Sequence, residues 1–168
     1  DAEQAEKTVG DFADYLRGNM NSLNLKLPIY FSEELRHVQI YLSLEKIRFE
    51  ERLEVVFDIG TTDFHIPALT LQPIVENAIV HGLMQRVEGG IVTIRTREEK
   101  SRYLVTVEDN GVGFDSVTAG REDGRSHVGI ENVRYRLKVL SGGTLDIKST
   151  PDVGTTATIS IPKGGLPA

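Results

Sequence analysis

The sequence predicts an α/β fold, in the form of an α+β two-layer sandwich that packs helices on a sheet and carries an N-terminal helical extension. Three observations support this prediction. Residues 71–82 place apolar side chains with helical spacing along one stripe, which consists of Leu71, Ile74, Val75, Ala78 and Ile79. Residues 91–97 and 102–109 alternate in the manner of strands. The chain has 168 residues, 39% of them hydrophobic, which suffices for one domain with a buried core.

The composition excludes several classes of function. The net charge of −6 argues against a nucleic-acid partner bound by phosphate neutralisation. The absence of cysteine excludes disulfides, thiolate zinc sites and cysteine nucleophiles. No apolar run approaches the roughly 20 residues that span a bilayer, so we expect a soluble piece without direct membrane contact. A transition-metal enzyme is not expected, because metal-ligand spacing is missing among the four histidines, His37, His65, His81 and His127.

The sequence begins with Asp1 inside a helical pattern and without an initiator methionine, so we expect it to be a piece of a longer protein. The pattern predicts a helix over residues 1–20. Its apolar stripe needs a partner surface and consists of Val9, Phe12, Ala13, Leu16 and Met20. Residues 21–31 are predicted to be a linker with an extended middle.

A second helix is predicted from Ser32 to about Phe49. Ser32 can serve as its N-cap, and Glu33 and Glu34 lie in the first turn, where the helix dipole favours acids. His37 has charged neighbours and is expected at the surface. The side chains expected to face inward are Leu35, Val38, Tyr41, Leu42 and Ile47.

The segment before the central helix contains a predicted strand and an undecided helix start. Residues 53–58 are rich in β-branched and aromatic side chains, which are typical of a strand. Pro67 can open the central helix because its missing N–H costs nothing in a first turn. Pro73 instead implies a kink or a start near Leu71, and the sequence leaves both possibilities open.

The central helix also carries three polar side chains away from its apolar stripe. Asn77 and His81 share one flank because they are four residues apart, and Glu76 lies one step round the helix. On a single helix, such residues are more often a solvated face than a site. The segments that follow favour a site.

Asp109 ends the second strand of a predicted antiparallel hairpin. It shares the core face of that strand with Val105 and Val107 because the side-chain period is two. A buried carboxylate is costly unless hydrogen-bond donors reach it. The alternative is that Asp109 lies past the end of the strand and caps the next turn.

Gly111 and Gly113 follow this strand in a Gly-x-Gly turn, which permits positive φ and the close approach of a ligand. Residues 115–128 are polar and predict a long mobile loop, a feature that is usually functional in a compact domain. The next helix is predicted to begin at Gly129, which makes its N-terminus an anion site, and to end at Ser141-Gly-Gly.

Two further strands are predicted at residues 144–148 and 155–161. In the second, Thr155 places a hydroxyl at the end of a core-facing row. Residues 162–168 are expected to fray.

Four motifs occur in the order found in the GHKL ATPase superfamily. They resemble its N, G1, G2 and G3 boxes and are Glu76-Asn77-Ala78-Ile79-Val80-His81-Gly82, Asp109-Asn110-Gly111-Val112-Gly113-Phe114, Gly129-Ile130-Glu131-Asn132 and Gly154-Thr155. More narrowly, residues 33–49 and 71–77 resemble the LytS and YesM type of bacterial sensor histidine kinase. The resemblance extends from about Val9 to Pro162.

The resemblance implies a Bergerat-type mixed sheet, covered on one face by helices, that binds ATP with Mg²⁺. Asn77 would coordinate Mg²⁺ bridging the phosphates, a task for a hard oxygen on an ion that keeps most of its waters. Glu76 would be the catalytic residue that positions or deprotonates the attacking group. Asp109 would accept the adenine amino group, with help from Thr155 through water, which supplies the partner that a core-facing carboxylate needs.

Other residues are implied in nucleotide binding in the same way. Residues 115–128 would form the ATP lid. Glycines would let the nucleotide pack against backbone, and N–H groups at the helix start would meet phosphate. The further residues expected to bind the nucleotide are His81, Gly111, Gly113, Gly129 and Ile130.

The chain departs from the family pattern at three positions. Val80 stands where relatives often carry a basic residue, and His127 and Asp152 replace glycines. These changes would weaken ATP binding or slow lid closure unless Arg121, Arg125 or His127 itself compensates. The phosphoacceptor box of the family is absent, so we expect no autophosphorylation by this piece alone.

The resemblance further implies transfer of the ATP γ-phosphoryl to a histidine of the same kinase dimer and then to a response regulator. Residues 1–31 would be the end of the dimerisation helix and a linker, 32–163 the ATP-binding catalytic domain, and 164–168 a frayed tail. The expected partners are the kinase's own dimerisation and phosphoacceptor domain, a response regulator, and a second copy in the full-length homodimer. The expected location is the cytoplasm, with the full-length protein membrane-anchored by family analogy.

Two alternatives remain. One is a nucleotide-sensing interaction module that binds ATP without catalysis, which Val80, His127 and Asp152 favour slightly. The other is an anti-sigma-type serine kinase or a GHKL ATP hydrolase.

Overall fold

The computed structural model of the chain describes residues 2–23, 27–115 and 124–165. Helices pack on one face of a five-stranded sheet, and a two-stranded sheet lies beside them. The helices are α1 (Ala2–Leu23), α2 (Phe31–Phe49), α3 (Leu71–Asn77) and α4 (Gly124–Ser141). The strands are β1 (Ile29–Tyr30), β2 (Leu53–Ile59), β3 (His65–Ile66), β4 (Gly90–Glu98), β5 (Arg102–Asp109), β6 (Thr144–Thr150) and β7 (Gly154–Pro162). The predicted α/β fold class is confirmed.

The larger sheet is mixed, with the strand order β2-β4-β5-β7-β6. Strand β2 runs parallel to β4, and every other neighbouring pair is antiparallel. Strands β4 and β5 form the predicted hairpin, in a register that places Val92 opposite Asp109 and Ile94 opposite Val107. This register puts Asp109 at the end of a strand in the middle of the sheet.

The core lies between the helices and one face of the sheet. All five residues of the predicted α3 stripe are buried, since Leu71, Val75 and Ile79 are fully inaccessible and Ile74 and Ala78 nearly so. Each fully buried side chain of this size stabilises the fold by about 1.5–3 kcal/mol. The sheet contributes alternate residues, including Val92, Ile94, Val105, Val107, Ala157, Ile159 and Ile161.

Helix α2 begins at Phe31, with Tyr30 at the N-cap and no side-chain capping bond, so the predicted N-cap at Ser32 is wrong. The reason is a tertiary contact that local capping rules do not include. Tyr30 belongs to β1 and pairs with His65 of β3. The Phe31 N–H donates to the Phe64 carbonyl at 2.8 Å, and the two rings stack with centroids 4.7 Å apart.

Two predicted orientations on α2 are also wrong. Ile47 is 51% exposed although it was expected inside, because five residues after Leu42 it has turned by about 140° from that buried side chain. His37 is only 9% exposed although it was expected at the surface. It precedes the buried Tyr41 by one helical turn and therefore lies on the same flank.

Helix α4 begins at Gly124, five residues before the predicted start at Gly129. Among the described residues, nothing lies within 4 Å of a Cβ built on Gly129, so this residue is a position inside the helix rather than at its start. The predicted end is confirmed. Gly142 has a φ of 65° and its N–H donates to the Lys138 carbonyl four residues earlier, which is the αL type of helix end, while the Gly143 N–H donates to the Leu137 carbonyl.

Helix α1 extends three residues beyond its predicted end and contacts α2. Its stripe residues Val9, Phe12 and Leu16 are exposed by 68%, 51% and 46%. None of the helices in the described ranges is both long and apolar enough to cross a membrane. The expectations for the lid segment 116–123 and for residues 166–168, and those for the side chains of Met20, Arg125 and His127, lie outside the described residues.

Candidate functional site

The central helix has a well-defined start, and its polar flank begins about one turn later. Helix α3 starts at Leu71, which decides between the two possibilities that the sequence left open. Pro73 is then the third residue of the helix, where an N–H would have no intrahelical partner, so the ring is accommodated without a kink. Pro67 lies before the helix, and its carbonyl accepts a bond from the Thr70 hydroxyl at 2.6 Å.

A buried carboxylate from α2 holds this helix start. Glu34 is 1% exposed and accepts hydrogen bonds from the Leu69 N–H at 3.1 Å and the Leu71 N–H at 2.9 Å. Burial raises its pKa, which these backbone bonds partly oppose. The sequence predicted Glu34 only as an acid in the first turn of its own helix, whereas it serves the N-terminus of α3.

Helix α4 reaches the other side of the same turn. The Arg136 guanidinium donates to the carbonyls of Ala68 and Leu69, and it lies close enough to Glu34 for their charges to interact. The turn before α3 is therefore held at its N–H groups by α2 and at its carbonyls by α4. This fixes the helix that carries Asn77 relative to the helix that follows the predicted lid.

After Asn77 the helix widens into a π-helical turn, Ala78–Gly82, which the sequence did not predict. The turn places Gly82 against the carboxylate of Asp109, and a Cβ built on Gly82 would lie 2.7 Å from Asp109 Oδ1. A Cβ on Gly111 would lie 2.3 Å from the Gly82 carbonyl carbon, and the Val112 N–H donates to the Gly82 carbonyl at 3.2 Å. The end of the central helix and the turn after β5 therefore pack backbone to backbone.

Asp109 combines the two arrangements that the sequence offered as alternatives. It is 5% exposed on the core face of β5, and its Oδ1 also accepts the Gly111 N–H at 2.9 Å. The backbone of Thr155 on the neighbouring strand forms a second hydrogen bond with this carboxylate. Desolvation by burial outweighs these bonds and raises the pKa of Asp109 to about 6.

The hydroxyl of Thr155 lies 2.7 Å from Ser149 Oγ. Ser149 also accepts the Phe114 N–H at 2.9 Å and thereby joins the turn after β5 to the end of β6. Ser149 was not predicted from the sequence. Its signal was the alternation along β6, which puts it on the same face as Leu145 and Ile147.

The turn after β5 is fastened to the β6–β7 turn by several bonds. A Cβ on Gly113, whose φ is 60°, would lie 2.0 Å from the Thr150 carbonyl oxygen, so the position requires glycine. The Asp152 N–H donates to the Val112 carbonyl at 2.7 Å. Asp152 itself has a φ of 61°, which explains why glycine suits this position and why aspartate is among the residues that tolerate it.

Arg86 joins the two turns and was also missed by the sequence analysis. Its guanidinium donates to the Gly111 carbonyl at 3.1 Å and to the Asp152 carbonyl at 2.7 Å. Its own carbonyl accepts a bond from Arg52 at 2.8 Å. An arginine just past a helix gives no local indication of partners that lie 25 and 66 residues away.

The polar flank of the central helix has the expected order. Glu76 is half-buried and accepts a hydrogen bond from Gln72 Nε2 at 2.7 Å. Asn77 is half-buried, and among the described residues nothing hydrogen-bonds its side-chain amide, so its oxygen is accessible to a hard cation such as Mg²⁺. His81 and Val80 are exposed.

Gly129 and Ile130 do not lie at a helix start. In α4 they occupy the second turn, where backbone N–H groups bond the carbonyls four residues earlier. Binding phosphate through these N–H groups requires the first turn of α4 to open. Their role in phosphate binding stays a prediction.

Family profiles match both parts of the chain. Residues 64–165 match the family described as "Histidine kinase-, DNA gyrase B-, and HSP90-like ATPase", and residues 1–53 match the family described as "Histidine kinase". The chain belongs to the first of these families, that of the GHKL ATPases. The fold and the arrangement of the four motifs agree with this assignment.

Among known proteins, the chain is similar to an uncharacterized protein and to two sensor proteins. It is 39% identical over 166 residues to YwpD of Bacillus subtilis (strain 168), which covers 96% of this chain and 60% of YwpD. It is 36% identical over 165 residues to the sensor histidine kinase YesM of the same organism, covering 95% of this chain and 28% of YesM. It is 30% identical over 174 residues to the sensor protein LytS of Staphylococcus haemolyticus, covering 96% of this chain and 29% of LytS. The predicted resemblance to sensor histidine kinases of the LytS and YesM type is confirmed. The chain spans less than two thirds of the length of each relative.

A solved structure confirms the fold. The histidine kinase domain of the Erythrobacter litoralis EL346 blue-light activated histidine kinase superposes with a TM-score of 0.63 at 19% identity, covering 92% of this chain and 74% of that domain. At this identity the likeness shows a common fold.

Proposed function

We propose that the chain is the ATP-binding catalytic domain of a two-component sensor histidine kinase, which transfers the ATP γ-phosphoryl to a histidine outside this chain. The observation that carries the proposal is the Asp109 carboxylate. It is buried at the end of a strand, and the hydrogen bonds that it accepts from described residues all come from backbone groups. It also lies against Gly82, which has no Cβ. This is the environment that an amino group of a purine requires from an acceptor.

The residues of the central helix support a division of work. The Asn77 amide oxygen would hold Mg²⁺, which, when bound, neutralises charge on the transferring phosphoryl group. The half-buried Glu76 would take the proton of the acceptor histidine or orient its imidazole. Asp109 and the backbone of Gly111 and Gly113 would hold the base. Phosphoryl transfer needs mainly positioning and charge stabilisation, so this set is sufficient.

The remaining site residues belong to the proposal with less direct support. His81 is exposed at the end of the central helix, where it would face the phosphates. Thr155 would act on the adenine together with Ser149, to which its hydroxyl lies close. Gly129 and Ile130 would meet phosphate after the first turn of α4 opens.

The surroundings of the domain are proposed from the relatives. Residues 1–31 would end the dimerisation helix, residues 32–163 would be the catalytic domain, and 164–168 would be its tail. The exposed stripe of α1 would face the rest of the dimerisation and phosphoacceptor domain. Partners would be that domain, a second copy and a response regulator, in a cytoplasmic location with the full-length protein membrane-anchored.

The first test is calorimetric titration of the chain with Mg-ATP. We expect the wild type to bind, Asp109→Asn to bind roughly tenfold to a hundredfold more weakly, and Asn77→Ala to lose only the part of the affinity that depends on magnesium. Asp146→Asn is the matched control, because this exposed acid lies on β6 away from the site. Absence of wild-type binding at millimolar ATP would contradict the site assignment.

The second test separates a kinase from a nucleotide-sensing module. The chain is mixed with γ-labelled ATP and the separately purified phosphoacceptor domain of the parent kinase. We expect label on the acceptor histidine with wild type and a rate roughly 10²–10⁴-fold lower with Glu76→Gln. Binding of ATP without any transfer would favour the sensing module and contradict the kinase proposal.

A further inference from the structure

The side chain of Gln72 is buried next to Glu76. It is 5% exposed and lies one helical turn before Glu76, and its Nε2 donates to Glu76 Oε1 at 2.7 Å. No other described residue forms a hydrogen bond with the Glu76 carboxylate. One carboxylate oxygen of Glu76 is therefore fixed by the protein, while the other is left for another partner.

Helix α2 supports Gln72 from behind. His37 is buried on the face of α2 that packs on α3, and its ring lies close enough to the Gln72 side chain to interact with it. Burial lowers the pKa of His37, so the ring is neutral at neutral pH and adds no positive charge that would draw Glu76 towards α2. The amide of Gln72 is thus held between an imidazole and a carboxylate.

A second acid of α2 lies on the same flank. Glu45 is two helical turns after His37, its side chain is 15% exposed, and it is close enough to Glu76 for their negative charges to repel. This repulsion opposes any movement of the Glu76 carboxylate towards α2. Gln72 attracts one oxygen of Glu76, and Glu45 disfavours its collapse onto the neighbouring helix.

We infer that Gln72, held by His37, is a positioning residue that fixes the orientation of Glu76 for proton transfer from the acceptor histidine. The inference rests on the proposed role of Glu76 as the base. A glutamate side chain has three rotatable bonds, and a base misplaced by about 1 Å costs up to a hundredfold in rate. A donor at one oxygen selects a single rotamer without neutralising the carboxylate.

The test measures two quantities, the Mg-ATP dissociation constant and the rate of transfer to the purified phosphoacceptor domain at saturating Mg-ATP. The variant is Gln72→Met, which keeps the length and helix preference of the side chain but cannot donate. We expect the dissociation constant to stay within about twofold and the transfer rate to fall roughly tenfold to a hundredfold. His37→Ala should lower the transfer rate as well, by a smaller factor. Gln85→Met is the matched control, since this exposed glutamine lies on the same helical segment and its side chain donates to the Val80 carbonyl.

The decisive comparison is a double-mutant cycle with Glu76→Gln. If Gln72 acts through Glu76, Gln72→Met lowers the rate in the wild-type background and has no further effect in the Glu76→Gln background. An equal fall in both backgrounds would show a general structural effect and overturn the inference. A wild-type rate for Gln72→Met, beside a slow Glu76→Gln, would overturn the inference alone. A wild-type rate for Glu76→Gln would overturn the proposed base and this inference together.

Discussion

Gly82 and Asp109 lie in direct contact, with the Cα of the glycine so near the carboxylate that a Cβ on residue 82 would stand 2.7 Å from Asp109 Oδ1. The contact joins the end of the central helix to the end of β5, two elements that are far apart in the sequence. It depends on the π-helical turn at Ala78–Gly82, which shifts the helix by one residue before it ends. A side chain at position 82 and an accessible carboxylate at position 109 therefore exclude each other.

We expect Gly82→Ala to weaken Mg-ATP binding by more than tenfold and to lower the free energy of unfolding by about 1–3 kcal/mol, because the methyl group must displace the carboxylate or the helix. Calorimetry and urea unfolding measure the two effects. Gly10→Ala is the control, since none of the described residues lies within 4 Å of a Cβ at that helical position. It should raise the free energy of unfolding by about 0.5–1 kcal/mol. Unchanged ATP affinity in Gly82→Ala would contradict the placement of the adenine at Asp109.

The raised pKa of Asp109 makes stability depend on pH in a defined direction. The folded state binds more protons than the unfolded state between the ordinary value of 3.8 and about 6, so the free energy of unfolding falls as pH rises through this window. Above it, the contribution of this group is constant. Urea unfolding of wild type and Asp109→Asn gives the two free energies of unfolding at each pH. We expect the free energy of the wild type minus that of the variant to fall as pH rises through this window. Parallel curves would show that Asp109 titrates at its ordinary value.

Glu34→Ala should lower the free energy of unfolding by about 1–3 kcal/mol, because it leaves the Leu69 and Leu71 N–H groups buried without an acceptor. Glu33→Ala is the matched control, since Glu33 is the neighbouring acid in the sequence and is exposed. Thermal or urea unfolding compares the two. Equal effects of the two substitutions would mean that the acids act only through the dipole of α2.

Arg86→Met should weaken Mg-ATP binding by roughly threefold to thirtyfold, because the Gly111 and Asp152 carbonyls lose their shared donor and the turn after β5 is fastened less firmly. Arg102→Met serves as the comparison, because the side chain of this exposed arginine donates to Glu99 within its own hairpin. Calorimetry again gives the affinity. Wild-type binding by Arg86→Met would show that the other bonds of the turn, to Gly82, Ser149 and Asp152, suffice to hold it in place.

The parts of the fold that could be predicted are those that depend on local periodicity. The stripe of α3, the β4–β5 hairpin and the core-facing position of Asp109 follow from periods of 3.6 and two, and each is confirmed. The end of α4 also follows from local chemistry, because Ser141-Gly-Gly supplies the residue with positive φ.

The parts that could not be predicted depend on partners distant in sequence. Glu34 caps a helix 35 to 37 residues away, and His37 is buried because α3 packs against its flank. Arg86 and Ser149 form bonds across turns that only the folded sheet brings together. The start of α2 was wrong for the same reason, since the pairing of Tyr30 with His65 overrides the cap that Ser32 would provide.

The glycines around the site also constrain how such a domain can diverge. When a new side chain collides with another side chain, a second substitution can make room for it. A Cβ on Gly111 would instead meet the main chain of Gly82, one on Gly113 the Thr150 carbonyl, and one on Gly154 the Asp109 carbonyl. No exchange of a neighbouring residue removes a main-chain atom, so no compensating substitution exists for these three positions. In a library of functional variants they should remain glycine, while the exposed Val80 beside them is free to change.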